Sequence, residues 1–261
     1  MPIRFCPLRS GSSGNVSFLG AGGTRMLIDA GHSCRALEQM LCSIGESAAN
    51  LDGIVISHEH SDHIKGAGTL SQRYGVPIYA NAPTWAAMRD KPGFPGVDPR
   101  NQRVFTTGAD FFIGDVNVQP FLIPHDAAEP VGFAVEYRGR RIVTATDLGH
   151  LSSAWIDRLD GADLLLIEAN HDPDMLRACS YPSWLKKRIL GRRGHLSNGD
   201  CADLLRGLSA AGLRHCVLGH MSAEANTPDL ALLSVKSALP SSVRVDLAYR
   251  DCTGGYYELS C

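Results

Sequence analysis

Two β-sheets packed face to face, each covered on its outer side by helices, form the α/β fold that this sequence predicts. Short strands open the chain and give way to helical spacing, and the same order returns in the second half. Residues able to bind metal fall repeatedly at strand ends, where a layered sheet protein has irregular backbone and an open site. With 261 residues, 44% of them hydrophobic and 20% charged, the chain can build the large core that two such layers need, most simply as one domain over 1–261.

Arg4 to Leu8 reads as the first strand, Ser10-Gly11-Ser12-Ser13-Gly14-Asn15 as a tight polar turn, and Val16 to Leu19 as the return. Exposed N–H groups on such a turn can hold a phosphate, and the same spacing serves a plain hairpin. A second hairpin around Gly22-Gly23 leads to Met26-Leu27-Ile28 and ends at Asp29, which is either a cap or a carboxylate that orients a ligand histidine. Leu37, Met40, Leu41 and Ile44 follow at helical spacing. The run Gly53-Ile54-Val55-Ile56 is a buried strand, Ile64 to Tyr74 a helix ending at Gly75, and Val76 to Tyr79 a strand. Lys91 to Arg100, rich in proline and glycine, is a loop whose length suits a lid or rim. Phe111 to Ile113, Val116 to Ile123, Val131 to Tyr137 and Arg141 to Ala145 are short strands, and from Trp155 onward helices alternate with strands.

The formal charge of −2 and pI near 6.5 exclude a protein that coats nucleic acid by bulk basicity, so any polyanion site is a local patch. Eight scattered cysteines form no C-x-x-C pair and read as small core residues or reduced thiols. Met1 to Arg9 lacks the apolar centre of a signal peptide, and the longest apolar run, Leu164-Leu165-Leu166-Ile167, is far too short to span a bilayer. The expectation is a cytoplasmic enzyme with no membrane association; no stretch specifies an oligomeric state.

The chemistry centres on His58-Glu59-His60-Ser61-Asp62-His63, set directly after the Ile54 strand. His58 and His60 can reach one ion together, while Asp62 and His63, past the bend, can face a second. His125 follows Phe121-Leu122-Ile123-Pro124, Asp147 follows Ile142-Val143-Thr144-Ala145-Thr146, and His220 follows Cys216-Val217-Leu218-Gly219. Each alone is a weak signal. Two ions with about four protein ligands apiece and one shared carboxylate need about seven side chains. His58, His60, Asp62, His63, His125, Asp147 and His220 supply that inventory.

Taken in order, the strand ending at Asp29, the His58-x-His60-x-Asp62-His63 motif, His125, Asp147 and His220 resemble the metallo-β-lactamase superfamily. Ser10 to Asn15, Ser57 to His63, His125-Asp126-Ala127 with Glu129-Pro130-Val131-Gly132, Thr146-Asp147-Leu148-Gly149, Glu168-Ala169-Asn170-His171-Asp172, Gly194-His195-Leu196-Ser197-Asn198 and Gly219-His220-Met221-Ser222 resemble its small YycJ/WalJ-type subgroup. The resemblance implies an αββα sandwich with a dinuclear site at one edge of the two sheets. It implies His58, His60 and His125 on the first ion, Asp62, His63 and His220 on the second, Asp147 between them, and Asp29 as the orienting carboxylate. Two divalent ions roughly 3.5–4 Å apart can share a hydroxide, lower the pKa of the water it comes from, and polarise a substrate oxygen so that the phosphorus or carbon bearing it is open to attack. A donor set of nitrogen and oxygen without thiolate leaves zinc, manganese and iron open. By pattern Glu59 points away from the ions.

Between Trp184 and His195 lie Lys186, Lys187, Arg188, Arg192 and Arg193, five cations in eight positions. They read either as a solvated helix face or as a grip on a phosphodiester backbone. The resemblance makes His195 a general acid, with Asp62 and Asp147 completing the catalytic set. Lys187, Arg193, Ser197 and Asn198 are the substrate contacts expected beside it; His171 reads equally as a substrate contact or a strand-end buttress. The chain has no room for the long inserted domain of β-CASP nucleases. The resemblance implies a metal-dependent phosphodiesterase acting as a DNA exonuclease. A small cyclic or linear phosphodiester is the alternative substrate, and thioester or lactone hydrolysis a different use of the same metals.

Overall fold

The computed structural model describes residues 1–150, 156–208 and 212–261. The chain lays down β1 (Ile3–Arg9), β2 (Val16–Ala21), β3 (Thr24–Ile28), β4 (Gly53–Val55), β5 (Ile78–Asn81) and β6 (Gln102–Phe105) in one sheet. It then crosses to a second sheet with β7 (Phe111–Ile113), β8 (Val116–Leu122), β9 (Val131–Tyr137), β10 (Arg140–Ala145), β11 (Leu164–Glu168), β12 (His215–Gly219) and β13 (Arg244–Leu247). The last strand, β14 (Tyr257–Leu259), returns to pair antiparallel with β1. Each sheet therefore has seven strands, with an antiparallel meander on one side and parallel strands on the other.

Alternation along the strands builds the layers. In β3, Met26 and Ile28 enter the core between the sheets while Leu27 faces the outer helices. In β11, Leu164 and Leu166 face inward, and Leu165 and Ile167 meet the helices over the second sheet. Those outer layers are α1 (Cys34–Ser43), α2 (Ser61–Ile64), α3 (Ala67–Tyr74) and α4 (Ala82–Asp90) in the first half. In the second half come α5 (Ile156–Leu159), α6 (Pro173–Ala178), α7 (Ser183–Ile189), α8 (Asn198–Gly207) and α9 (Pro228–Lys236). The face-to-face sheets with outer helices are the architecture the sequence predicts.

The helix expected over Ile64 to Tyr74 is two helices. Gly66 breaks it: its N–H donates to Ala30 O at 2.9 Å, and a Cβ there would stand 2.2 Å from His32 O. The break lets α2 carry Asp62 and His63 in a short turn of its own. Helix α4, edge strand β6 and strand β14 had no counterpart in the sequence reading. The α4 boundary is nevertheless written in Asn81, whose side chain accepts from Thr84 N ahead of a proline in the first turn. Trp155, taken as the start of the alternating helices, lies outside the described residues.

The Ser10–Asn15 turn, the end of β3 and α2 meet with no space between them. A Cβ on Gly31 would fall 1.7 Å from Asp62 O and 2.6 Å from Asn15 N, a backbone collision that no rotamer relieves. Gly31→Ala should therefore displace Asp62, lower the melting temperature and weaken metal binding together; a variant with the melting temperature and metal content of the parent would contradict this packing.

Candidate metal centre

Three of the site residues end strands with their backbone in the left-handed region: Asp29 after β3 (φ 60°), Asp147 after β10 (φ 62°) and His220 after β12 (φ 52°). Such conformations cost non-glycine residues about 1–3 kcal/mol each and persist where the surroundings dictate them. At His220 the surroundings are visible, because its N–H donates to Ser10 Oγ at 2.8 Å. Asp29 N, in turn, donates to Val55 O of the neighbouring parallel strand at 2.9 Å.

His58, His60 and His125 place ligand atoms within 4.8 Å of one another; Asp62, His63 and His220 do the same. Asp147 lies between the groups. Its Oδ1 is 3.6 Å from both His125 Nε2 and His220 Nε2, and its Oδ2 is 3.4 Å from His63 Nε2. His58, His63, His125, Asp147 and His220 are buried, while His60 and Asp62 stand on the open side. The mouth is a cavity of about 310 Å³ lined by Ser12, His60, Asp62, Lys91, Arg188 and His195, among others.

Two carboxylates hold the histidines from behind. Asp29 accepts from His63 Nδ1 and Ser57 Oγ through Oδ2, each at 2.8 Å, and from Ser57 N through Oδ1 at 2.8 Å. Glu168, at the end of β11 and fully buried, accepts from His220 Nδ1 at 2.7 Å and His195 Nδ1 at 2.9 Å on a single oxygen, Oε1. Its Oε2 accepts from Leu148 N at 2.7 Å and Leu196 N at 3.1 Å. Although Glu168 lies close enough to His195, His220 and Asp147 to count among possible ligands, its lone pairs are already used. It orients the imidazoles instead.

The electrostatics divide the histidines. Burial pushes His58 well below its ordinary value, and neighbouring His63 adds to this. Burial also opposes charge on His63, but Asp29 and Asp147 outweigh it and lift the imidazole to about 10. At His220 burial is again overcome, here by Asp147 and Glu168, and the group rises to about 9. Burial would raise Glu168, yet the charges and hydrogen bonds of His195 and His220 hold it at about 2.

A cation fits this donor set. Asp147 Oδ2 and His220 Nε2 are buried with no hydrogen-bond partner. Buried polar atoms left so cost about 1–3 kcal/mol each, which a divalent ion removes by coordination. The donors are imidazole nitrogen and carboxylate oxygen, as zinc, manganese or iron accepts.

Other expected site residues are placed differently. Ser197 caps α8, accepting from Asp200 N and donating to Asp200 Oδ2. Asn198 is buried and pairs its amide both ways with Asn226. His171 is buried, and neither ring nitrogen has a hydrogen-bond partner. None of the three is among the residues that line the cavity; Ser197 and Asn198 engage these polar groups beside the His195 loop. Lys187 and Arg193 are exposed. Of the basic run, Arg188 lines the cavity, held by Asp126 through two hydrogen bonds of 2.6 and 2.9 Å. Lys186 instead donates to Arg177 O and Cys179 O, both at 2.7 Å, at the end of α6. Glu59 turns away, accepting from Ala128 N at 2.9 Å. Lys91, in the expected rim loop, donates to Glu59 O at 2.8 Å and lines the cavity.

Residues 24–221 match the model of the β-lactamase superfamily domain. The chain belongs to the metallo-β-lactamase superfamily. It is 37% identical over 240 residues to the exodeoxyribonuclease YycJ of Bacillus anthracis, covering 92% of this chain and 90% of that protein. It is likewise 37% identical over 237 residues to the exodeoxyribonuclease WalJ of Streptococcus pneumoniae serotype 2 strain D39, covering 91% and 88%. This similarity sets the chain in the YycJ/WalJ group of the superfamily. Among solved structures, the metallo-β-lactamase fold protein YhfI from Bacillus subtilis superposes with a TM-score of 0.75 at 18% identity, over 98% of this chain and 99% of that one. Human short-form tRNase Z gives 0.66 at 18% identity over 99% and 100%. These two likenesses concern the fold. No helix among the described residues is long and apolar enough to cross a membrane.

Proposed function

We propose that this protein is a metal-dependent DNA exonuclease of 1–261 acting as one unit. The observation that carries the reading is the cavity that sets the metal-type ligands opposite His195, Lys91 and Arg188, in a chain 37% identical to exodeoxyribonucleases over 92% of its length. His58, His60 and His125 would hold one divalent ion, Asp62, His63 and His220 a second, and Asp147 both. Ions so bound would supply Lewis acidity, acidifying a water and polarising a non-bridging oxygen so that the phosphorus is open to attack.

The chain's own residues do the rest. Arg188 and Lys91 attract and orient the anionic diester. His195, tethered at Nδ1 to Glu168, keeps its second nitrogen for the cavity, and in the imidazolium form gives its proton to the leaving oxygen. Eight free cysteines agree with a reducing, cytoplasmic setting.

His195→Ala should slow DNA hydrolysis by about 10²–10⁴-fold. It should slow a nitrophenyl phosphodiester far less, since that leaving group departs without a proton. Equal loss on both substrates, or loss of metal, would contradict the general-acid role. The reading as a whole is tested by metal-reconstituted protein on an end-labelled duplex beside an aryl diester and a thioester. Stepwise shortening of the duplex is expected; turnover of the thioester alone would overturn it.

Metal uptake should also release protons. His63, raised to about 10, and His220, raised to about 9, are both protonated at pH 7 and must shed that proton to offer Nε2. Affinity should consequently rise with pH across the neutral range and fall on acidification. Calorimetry of zinc or manganese binding at pH 7 in buffers of different ionisation heat should register that release; a binding heat independent of the buffer would count against it.

A further inference from the structure

Next to the catalytic cavity lies a second, of about 190 Å³, where the turn after β1 meets the segments after β12 and β13. Ser10, Met221, Ser222, Tyr249 and Arg250 are among its walls. The turn is a partition between the two spaces. Ser12 faces the catalytic cavity and Ser10 the second. Between them Gly11 packs against the far wall, where an added Cβ would lie in ordinary contact with Arg250 Nε at 3.6 Å and Met221 O at 3.7 Å. The two sides are fastened to the same residue, since Ser10 N donates to Tyr249 O and Ser10 Oγ accepts from His220 N, both at 2.8 Å. The second cavity is thus in rigid register with the last histidine of the metal centre.

Its charge is unused. Arg250 Nη2 is buried and has no hydrogen-bond partner, although Asp251 also lines the cavity. Arg188, by contrast, is paired with Asp126. A guanidinium in the wall of a concave pocket, with a nitrogen left unpaired, has donors to give to the oxygens of a phosphate once the side chain turns into the cavity. Tyr249, 39% exposed, lies at the same cavity and offers a ring face on which a base can stack.

We propose that this cavity is a strand-binding subsite, in which Arg250 grips a phosphate of the DNA other than the one being cleaved and Tyr249 supports the adjoining base. The inference rests on the nuclease reading above and adds the contact that sets the position of the strand end relative to the metals. Both a terminal and an internal phosphate carry the chemistry Arg250 would recognise.

The test compares metal-loaded wild type, Arg250→Ala, Arg250→Lys and Tyr249→Ala on end-labelled duplexes and on an aryl phosphodiester too small to reach the second cavity. Arg250→Ala should raise KM for DNA about tenfold more than KM for the aryl diester, and should reduce the slope of log affinity against log salt by about one. Arg250→Lys, which keeps the charge and stem but loses the fork, should recover the salt slope with only part of the KM. It also carries the test if the alanine variant does not fold. A defect confined to duplexes with phosphorylated ends would place the terminal phosphate on Arg250; a defect shared by hydroxyl ends would place an internal one there, and either result supports the subsite. Equal losses on DNA and aryl diester in the arginine variants, or unchanged DNA kinetics, would overturn it while leaving the nuclease reading standing. A wild type inert on every duplex would overturn both.

Discussion

Glu168→Gln should cost about 10²–10⁴-fold in DNA hydrolysis and about 10–100-fold in metal affinity while leaving the fold in place. The side chain keeps its volume but can no longer serve four donors. If the amide oxygen faces His195 and His220, the amide NH₂ is driven against Leu148 N and Leu196 N, which approach the carboxylate at 2.7 and 3.1 Å. If it flips, the NH₂ confronts both Nδ1 atoms and pushes each ring toward the tautomer with its proton on Nε2. His220 then offers a proton where a cation needs a lone pair. Either way the carboxylate that fixes His195 Nδ1 has lost its charge. Metal analysis after dialysis, paired with single-turnover rates on duplex DNA and on an aryl diester, separates the two consequences. Full metal content with a defect larger on DNA than on the aryl diester would isolate the proton-donor effect; wild-type metal content and wild-type rates would remove Glu168 from the mechanism.

Glu168 also marks the boundary of what could be read along the chain. It ends Leu164–Ile167 just as Asp29 ends Met26–Ile28, so the same signal that singles out Asp29 was available for it. What distinguishes it is register. Parallel pairing sets Glu168 beside Gly219, one residue before His220, and only that pairing brings the carboxylate under the ligand. The metal cluster was legible because strand ends collect at one edge of an α/β sheet and His-x-His-x-Asp-His is dense in donors. The left-handed turns at Asp147 and His220 that aim those donors were not, since they arise from contacts such as His220 N to Ser10 Oγ across 210 residues. Polarity at Ser197 and Asn198 gave no sign of the partners they engage, Asp200 and Asn226. The basic run left both a solvated face and a phosphodiester grip open, because spacing does not show that carbonyls at the end of α6 claim Lys186 while Arg188, two positions on, lines the cavity. Helical periodicity, lastly, carried no trace of the close approach of His32 O that stops the helix at Gly66.

Asp147→Asn should abolish activity, by about 10⁴-fold or more, because it strikes a buried carboxylate that reaches both groups of ligands. The carboxylate lies 3.4–3.6 Å from His63, His125 and His220, and the charges of His220, His63, His125 and His58, in that order, overcome burial to keep it ionised far below the ordinary carboxylate range. Removing the charge has a consequence that can be read without any metal or turnover. His63 and His220 owe part of their elevation, to about 10 and about 9, to Asp147, so in the asparagine variant both should titrate at lower pH. His63, still hydrogen-bonded to Asp29 at 2.8 Å, should keep more of its elevation than a histidine without that partner. Histidine NMR titration of metal-free wild type and variant measures this directly. Retained cooperative unfolding, lost metal binding and downward-shifted imidazoles together would fix Asp147 as the charge that organises the centre. Unshifted imidazoles would mean that the cluster's electrostatics lie elsewhere, and intact metal binding would remove Asp147 from its place between the two ligand groups.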